Sequence, residues 1–306
     1  MEQYLFSPQT GSIARCESRN ADFSAGGVFL YETGEAQNLP ASLSRRAAFL
    51  FSLQHIRYCK AESFGGCVIG TLYIPSELTE ETEPVKIAFH LENNTLILVG
   101  NMQTLRTNVA EVTETPSDGL CAAILLLHMI ESFLSDDVLY LQSIDEEFTH
   151  KEEALLHTIP TDFNGYLMTS RRKLSRLHAY YEQLADVADV LEGSLAMVNE
   201  NQSNAWRLLG ERCGRLHNNT EALSEYLQQL RELYRSQIDL RQSRTMSLLT
   251  VVTTLFLPLS LVAAWYGMNF SNMLAINSRW GYPVVVLLVV LLVVGEIIYF
   301  KKKKMF

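Results

Sequence analysis

The sequence predicts an α/β cytosolic N-terminal domain, a long helical stalk and two C-terminal transmembrane helices. Three observations carry this. Short β-branched and aromatic runs bounded by turn residues fill the first hundred positions. A stretch without proline follows from Ser203 to Pro258. Charge then almost vanishes: beyond Thr245 only Arg279, Glu296 and Lys301 to Lys304 remain. The 306 residues hold 25 Lys+Arg against 34 Asp+Glu, and 48% are hydrophobic. Setting the tail aside leaves residues 1–244 with 20 bases and 33 acids, a local charge of −13. Such a body has no basic face for nucleic acid. Its hydrophobic content excludes intrinsic disorder.

Residues 1–115 read as the α/β domain. GGVFLYE (26–32), CVIGTLYIP (67–75), PVKIAFHLE (84–92) and TLILVG (95–100) have strand composition. Asn93-Asn94 predicts a tight hairpin, because asparagine tolerates left-handed backbone angles. SLSRRAAFLFSLQHI (42–56) has helical length and period.

Residues 116–202 read as antiparallel cytosolic helices. Leu120, Ile124, Leu127, Ile130, Phe133 and Leu134 recur at three and four, as do Leu141, Ile144, Phe148 and Leu155. A further helix is expected over 162–192, with a break near Gly193 and a polar turn at 199–204. The acids of 145–153 read as a solvated helix face.

Residues 203–245 form the stalk, with Leu216, Leu223, Leu227, Leu230, Leu233 and Leu240 as an apolar seam. Continued to Trp265, it makes one helix of roughly 90 Å. That exceeds a globular domain, so the helix should pack against neighbours in an oligomer. Breaks near Gly214 and Asn218-Asn219 are the alternative.

Met246 to Tyr266 is 21 residues without a charge, enough to cross a hydrocarbon core of about 30 Å. After a loop over 267–281, residues 282–300 give a second span with Glu296 as its only charge, expected to snorkel or pair with a lysine. Arg241 and Arg244 precede the first span, and the tail 301–306 carries four lysines beside anionic headgroups. Both termini are therefore expected in the cytoplasm, with the loop outside. The N-terminus has no signal-peptide pattern. Cys16, Cys59, Cys67, Cys121 and Cys213 form no CxxC pair and read as reduced, mostly buried thiols.

On the first span, Ser243, Met246, Leu249 with Thr250, Thr253, Leu257, Ser260 and Ala264 fall on one helical stripe. Two readings stay open for it. Small polar residues mediate helix packing, and apolar rings gate pores by dewetting. Directly after it comes Tyr266-Gly267-Met268-Asn269-Phe270. Here the chain closely resembles the CorA family of magnesium/cobalt transport proteins, whose signature is a Gly-Met-Asn loop between two C-terminal spans. The resemblance extends over LLTVVTTLFLPLSLVAAWYGMNF (248–270), RWGYP (279–283) and YFKKKK (299–304).

The resemblance implies a homopentameric funnel that takes up divalent cations, Mg²⁺ with Co²⁺ or Ni²⁺ as further passengers, across the plasma (inner) membrane. By position, Gly267, Met268 and Asn269 would form the selectivity filter, with a ring of Asn269 amides at the outer mouth. Ser260, Leu257, Leu249 and Met246 would face the pore, the last two at the hydrophobic gate, and Ser243 would sit at the cytosolic mouth. The chemistry suits the cargo: Mg²⁺ sheds its octahedral waters reluctantly, and neutral amides hold a hydrated ion without trapping it. The family's regulation by cytosolic Mg²⁺ between subunits makes Asp136, Asp137, Asp145, Glu146, Glu147, Glu152 and Glu153 candidates here.

Departures from the pattern are Ser243 for a common asparagine, Ala264 for a usual glycine, and Met273-Leu274-Ala275-Ile276 where Met-Pro-Glu-Leu is frequent. Without the loop acid, cations concentrate less at the outer mouth. Ala275→Glu should therefore raise uptake into liposomes at low external metal; unchanged uptake would count against this. No phosphate loop for ATP hydrolysis and no GxSxG nucleophile occur, so neither an enzyme nor a resident cofactor is expected. The membrane potential would drive the ion. A Zn²⁺ transporter of the same architecture and a weakly conducting membrane scaffold or sensor are the alternatives.

Overall fold

A computed structural model describes residues 2–6, 13–16, 26–79, 83–114, 120–195, 200–268 and 280–302. It divides into two compact units, Met1–Glu153 with Thr161–Leu230, and Ala154–Pro160 with Arg231–Phe306.

The first unit is built on a seven-stranded sheet. Its strands are β1 (Glu2–Phe6), β2 (Ile13–Cys16), β3 (Gly27–Glu32), β4 (Lys60–Ser63), β5 (Cys67–Ile74), β6 (Val85–Glu92) and β7 (Thr95–Gly100). They lie in the order β2-β1-β3-β7-β6-β5-β4. Among the described strands only β3 and β7 pair in parallel, Val28 opposite Leu96. The four strands expected from composition are β3, β5, β6 and β7, and their near-continuous apolar runs follow from burial on both faces. The expected hairpin joins β6 to β7 with Glu92 opposite Thr95 and Asn93 at φ 51°. Its loop also anchors its surroundings: the Gly27 N–H donates to the Asn94 carbonyl, and the Ala122 N–H to the Asn94 side chain.

Seven α-helices are described: α1 (Arg46–Gln54), α2 (Met102–Glu114), α3 (Ala122–Phe133), α4 (Asp137–His157), α5 (Phe163–Leu195), α6 (Glu200–Tyr266) and α7 (Gly281–Lys302). α1 packs one sheet face around Phe29, Phe49, Ile69 and Ile97. It begins later than expected because Arg45, at φ 56°, sits in the left-handed region. α2 opens on Asn101, whose side chain accepts from the Gln103 and Thr104 N–H groups.

The break expected near Gly193 comes at Leu195, where α5 ends; a glycine costs about 1 kcal/mol against alanine, too little to stop at that residue a helix that buries ten side chains. One expectation is corrected. The expected polar turn at 199–204 is instead the start of α6 from Glu200. There Gln202 donates to Cys121 Sγ and Ser203 to the Glu192 carbonyl, so these residues satisfy side-chain partners without leaving the helix. α6 then continues through Gly214 and Asn218-Asn219 without a break, 67 residues or roughly 100 Å.

The body's interior holds a polar cluster. Asp137 opens α4 at only 2% exposure. Its Oδ2 and the Tyr181 hydroxyl each lack a partner of hydrogen-bond geometry, although the two groups lie close enough to influence each other. The neighbouring Arg212 guanidinium donates instead to the Leu134 carbonyl. Burial pushes the Asp137 carboxyl up to about 6, against the smaller opposing pull of Tyr181 and Arg212. Burial also pushes the Cys59 and Cys213 thiols up to about 12. Those two with Cys67 and Cys121 are free thiols among the described residues; the Cys16 side chain lies outside them.

The second unit contains two helical segments long and apolar enough to cross a membrane, within α6 and over Pro283–Lys302. They run antiparallel, so that Thr250 shares a groove with Tyr299 and Phe300.

Candidate functional site

α7 covers one face of the α6 span. Val251 is buried there at 5% exposure, with Ser247, Leu255, Pro258, Leu259 and Val262 half-buried. The stripe read from spacing lies on the far side: Val251 is two residues from Leu249 and from Thr253, about 200° around the axis. Ser243, Thr253, Ser260 and Ala264 are exposed, and Met246, Leu249 and Leu257 are 59%, 56% and 74% exposed. The stripe is thus contiguous and left open within the unit.

The stripe's Thr253 is oriented by the helix itself: its Oγ1 donates to the Leu249 carbonyl at 2.9 Å. With its proton used on the backbone, this hydroxyl presents lone pairs outward, where water on a hydrated cation could donate. Thr250 and Thr254 likewise donate to the Met246 and Thr250 carbonyls, at 2.8 and 2.7 Å, on the side of the helix nearer α7. Met246, Leu249 and Leu257 separate the hydroxyls with apolar levels. Such an alternation can hold water in bands and exclude it between them.

At the upper end the Gly267 N–H donates to the Ala263 carbonyl at 2.9 Å, extending the helical bonding past Tyr266. A Cβ on Gly267 would stand 3.0 Å from that same oxygen, a tight approach that favours a residue without a side chain. Met268 follows, half exposed. Asn269, Phe270, Ala275 and Arg279 lie outside the described residues.

The acids proposed as regulatory candidates do not behave alike. Asp136, Asp145, Glu146, Glu147 and Glu153 are exposed on or beside α4. Glu152 accepts from the Tyr226 hydroxyl at 2.6 Å, tying α4 to α6. Asp137, unlike the other candidates, is buried and faces the interior, its carboxyl enclosed by Tyr181, Cys213 and Arg212. Among the described residues no three His, Cys, Asp or Glu side chains converge as a metal site.

A feature that spacing alone did not reveal is a groove of about 630 Å³ between the two spans, lined by Thr250, Thr254, Pro258, Gly295, Glu296 and Tyr299. Pro258 has no N–H, so the Thr254 carbonyl loses its helical donor. Glu296 Oε2 is buried there with no hydrogen-bond partner. Among the described residues no lysine pairs with Glu296, and of the two arrangements expected from sequence, snorkelling or lysine pairing, the pairing is not seen there. The signal was present as small residues four apart, Thr250, Thr254 and Pro258, opposite Gly295.

The family described as CorA-like Mg²⁺ transporter protein matches residues 50–302. The cobalt/magnesium transport protein CorA of Thermotoga maritima is 28% identical over 181 residues, 59% of this chain. The chain spans about half of that relative, 52% of its length. Among solved structures, the complete CorA magnesium transporter of Methanocaldococcus jannaschii is similar with a TM-score of 0.79 at 17% identity, over 98% of this chain and 96% of that one. The full-length CmaX protein is similar with a TM-score of 0.76 at 19% identity, over 99% and 97%. At these identities the two structures speak for the fold: soluble α/β domain, long helix and two C-terminal apolar helices. The family match reaches from α1 through the stalk, the Gly-Met-Asn sequence and the second span, and on that extent the chain belongs to the family of CorA-like Mg²⁺ transporter proteins.

Proposed function

We propose that this chain is one subunit of a homopentameric, channel-like divalent-cation transporter of the plasma (inner) membrane, with Mg²⁺ as its main cargo. The observation that carries the reading is the open stripe on α6, which faces away from α7 and is followed in the sequence by Gly267-Met268-Asn269. A polar and apolar stripe left bare at membrane depth calls for a wet lumen bounded by copies of itself. The stalk supports the same assembly. Leu216, Leu223, Leu227 and Leu230 are buried within the body, whereas Leu240 further along the seam, and Ile238 near it, are exposed and available to a neighbouring stalk.

In this reading a ring of Asn269 amides receives the hydrated ion at the outer mouth. Thr253 and Ser260 accept hydrogen bonds from its waters, Met246, Leu249 and Leu257 close the path when their rings dewet, and Ser243 releases the ion to the cytosol. A divalent ion gains about 4.6 kcal/mol per 100 mV of inside-negative potential, twice the single-charge value, so no hydrolysis step is needed. Cytosolic Mg²⁺ bound between subunits would hold the pore closed, at carboxylates exposed on α4 rather than at Asp137. Both termini face the cytoplasm, with Lys301 to Lys304 against anionic lipid. No resident cofactor takes part, and the acidic body is no nucleic-acid partner.

The test is uptake into proteoliposomes holding an imposed inside-negative potential, with Mg²⁺, Co²⁺ and Zn²⁺ compared. Expected is Mg²⁺ uptake that rises with the potential and is competed by Co²⁺. Faster Zn²⁺ than Mg²⁺ entry would transfer the cargo assignment to zinc. Flux equal to that of protein-free liposomes for all three ions would defeat transport and leave a scaffold or sensor.

A further inference from the structure

A cyclic oligomer of parallel helices uses two different flanks of each copy, one meeting the next subunit and one the previous. The α6 span carries a matched pair of such flanks. On one, Phe256 stands 59% exposed. On the other, Thr250, Thr254 and Pro258 make the groove with Gly295 and Glu296 of α7. We infer that the Phe256 ring of one copy fills this groove on the adjacent copy, with its edge against the Glu296 carboxylate. The inference rests on the homo-oligomeric reading above and adds the contact that holds the ring together inside the membrane.

Three features carry it. Rotation about an axis along the helices keeps every residue at its own height, and Phe256 lies between Thr254 and Pro258 in sequence. One copy's knob therefore arrives level with the next copy's hole. Phe256 lies about 120° around the helix from Thr250 and about 160° from Thr254 and Pro258, so knob and groove occupy two separate flanks of the span, as a subunit with two neighbours in a ring requires. α7 does not stand in the way, since it covers the Val251 face. The chemistry agrees as well. Glu296 lines the groove and, among the described residues, its Oε2 has no hydrogen-bond partner; an aromatic edge brought beside that side chain carries the partial positive charge that an aliphatic side chain lacks. A Cβ on Gly295 would meet nothing within 4 Å, so the hole is open in the single chain.

The experiment uses full-length protein in lipid nanodiscs, with Phe256→p-benzoylphenylalanine and a mixture of isotopically light and heavy chains. Irradiation should give subunit ladders whose light–heavy cross-links map to 250–258 or 292–300. Cross-links only to lipid or within one chain, with an amine-reactive reagent still giving ladders, would overturn the inference and leave the oligomer standing. Monomers with both reagents and by mass would instead overturn the oligomeric reading. A second variant guards against misfolding by working from the hole. Gly295→Phe should lower the temperature at which the oligomer dissociates, and Phe256→Ala added to it should restore part of the loss. A Gly295→Phe oligomer as heat-resistant as the parent would also overturn the proposal.

Discussion

Proteoliposomes carrying Asn269→Ala should take up Mg²⁺ no faster than protein-free liposomes. The residue follows directly on Gly267 and Met268, where helical bonding ends, and it supplies the first polar side chain beyond the span. In the proposed ring each amide contributes a hydrogen bond to the ion's water shell of about 1 kcal/mol. A ring of them far exceeds the roughly 1.4 kcal/mol that corresponds to tenfold. Alanine removes all of these bonds at once while leaving the helix end intact. Two companion variants separate hydrogen bonding from charge. Asn269→Gln keeps the amide on a longer arm and should retain part of the flux. Asn269→Asp should capture the ion at lower external Mg²⁺ but release it slowly, lowering the maximal rate. Asn269→Ala protein that transports at the parental rate as an intact oligomer would remove the residue from the pathway.

The second large effect lies in the body. Asp137→Asn should stabilise the protein at pH 7.5 by about 3 kcal/mol, on the order of 10 °C in thermal midpoint. The native carboxyl titrates near 6 because burial disfavours its charge, against about 3.9 for an exposed aspartate. The native state thus holds the proton more tightly than the unfolded chain. Its contribution to stability is complete below about pH 4 and is lost as pH rises through about 6. At neutral pH the wild-type body carries an ionised, poorly solvated group that asparagine does not. The gap between variant and parent should therefore be widest above pH 6 and close below pH 4. A gap that widens on acidification, or none at pH 7.5, would refute the assignment.

How much of this was legible in the residues depended on burial. β3, β5, β6 and β7 were readable because both faces of the central sheet are covered, which writes apolar runs into the chain. β4, with sequence KAES at the sheet edge, has no such run and was not anticipated. The length of α6 was open at Gly214 and Asn218-Asn219, since local propensity there opposes a helix while tertiary packing of Trp206, Leu209, Cys213 and Leu216 supports one. Asp137 resembled its acidic neighbours because a sequence shows charge but not which way a helix faces. The stripe from Ser243 to Ala264 was visible as a period. That it lies opposite α7 depends on how the second span packs, and no spacing within α6 encodes that.

The parallel pairing of β3 with β7 and the burial of Trp206 to Leu216 also set a timetable for synthesis. Leu96, the β7 partner of Val28, is synthesised after β5 and β6, so β3 gains its neighbour on that side only once β7 exists. The last layer of the body's core arrives only with the start of α6, and its compact unit ends at Leu230. At about 5–20 residues per second, Tyr266 is added within roughly 2–7 s of Leu230. The first apolar span thus follows the body's last core residues off the ribosome within seconds.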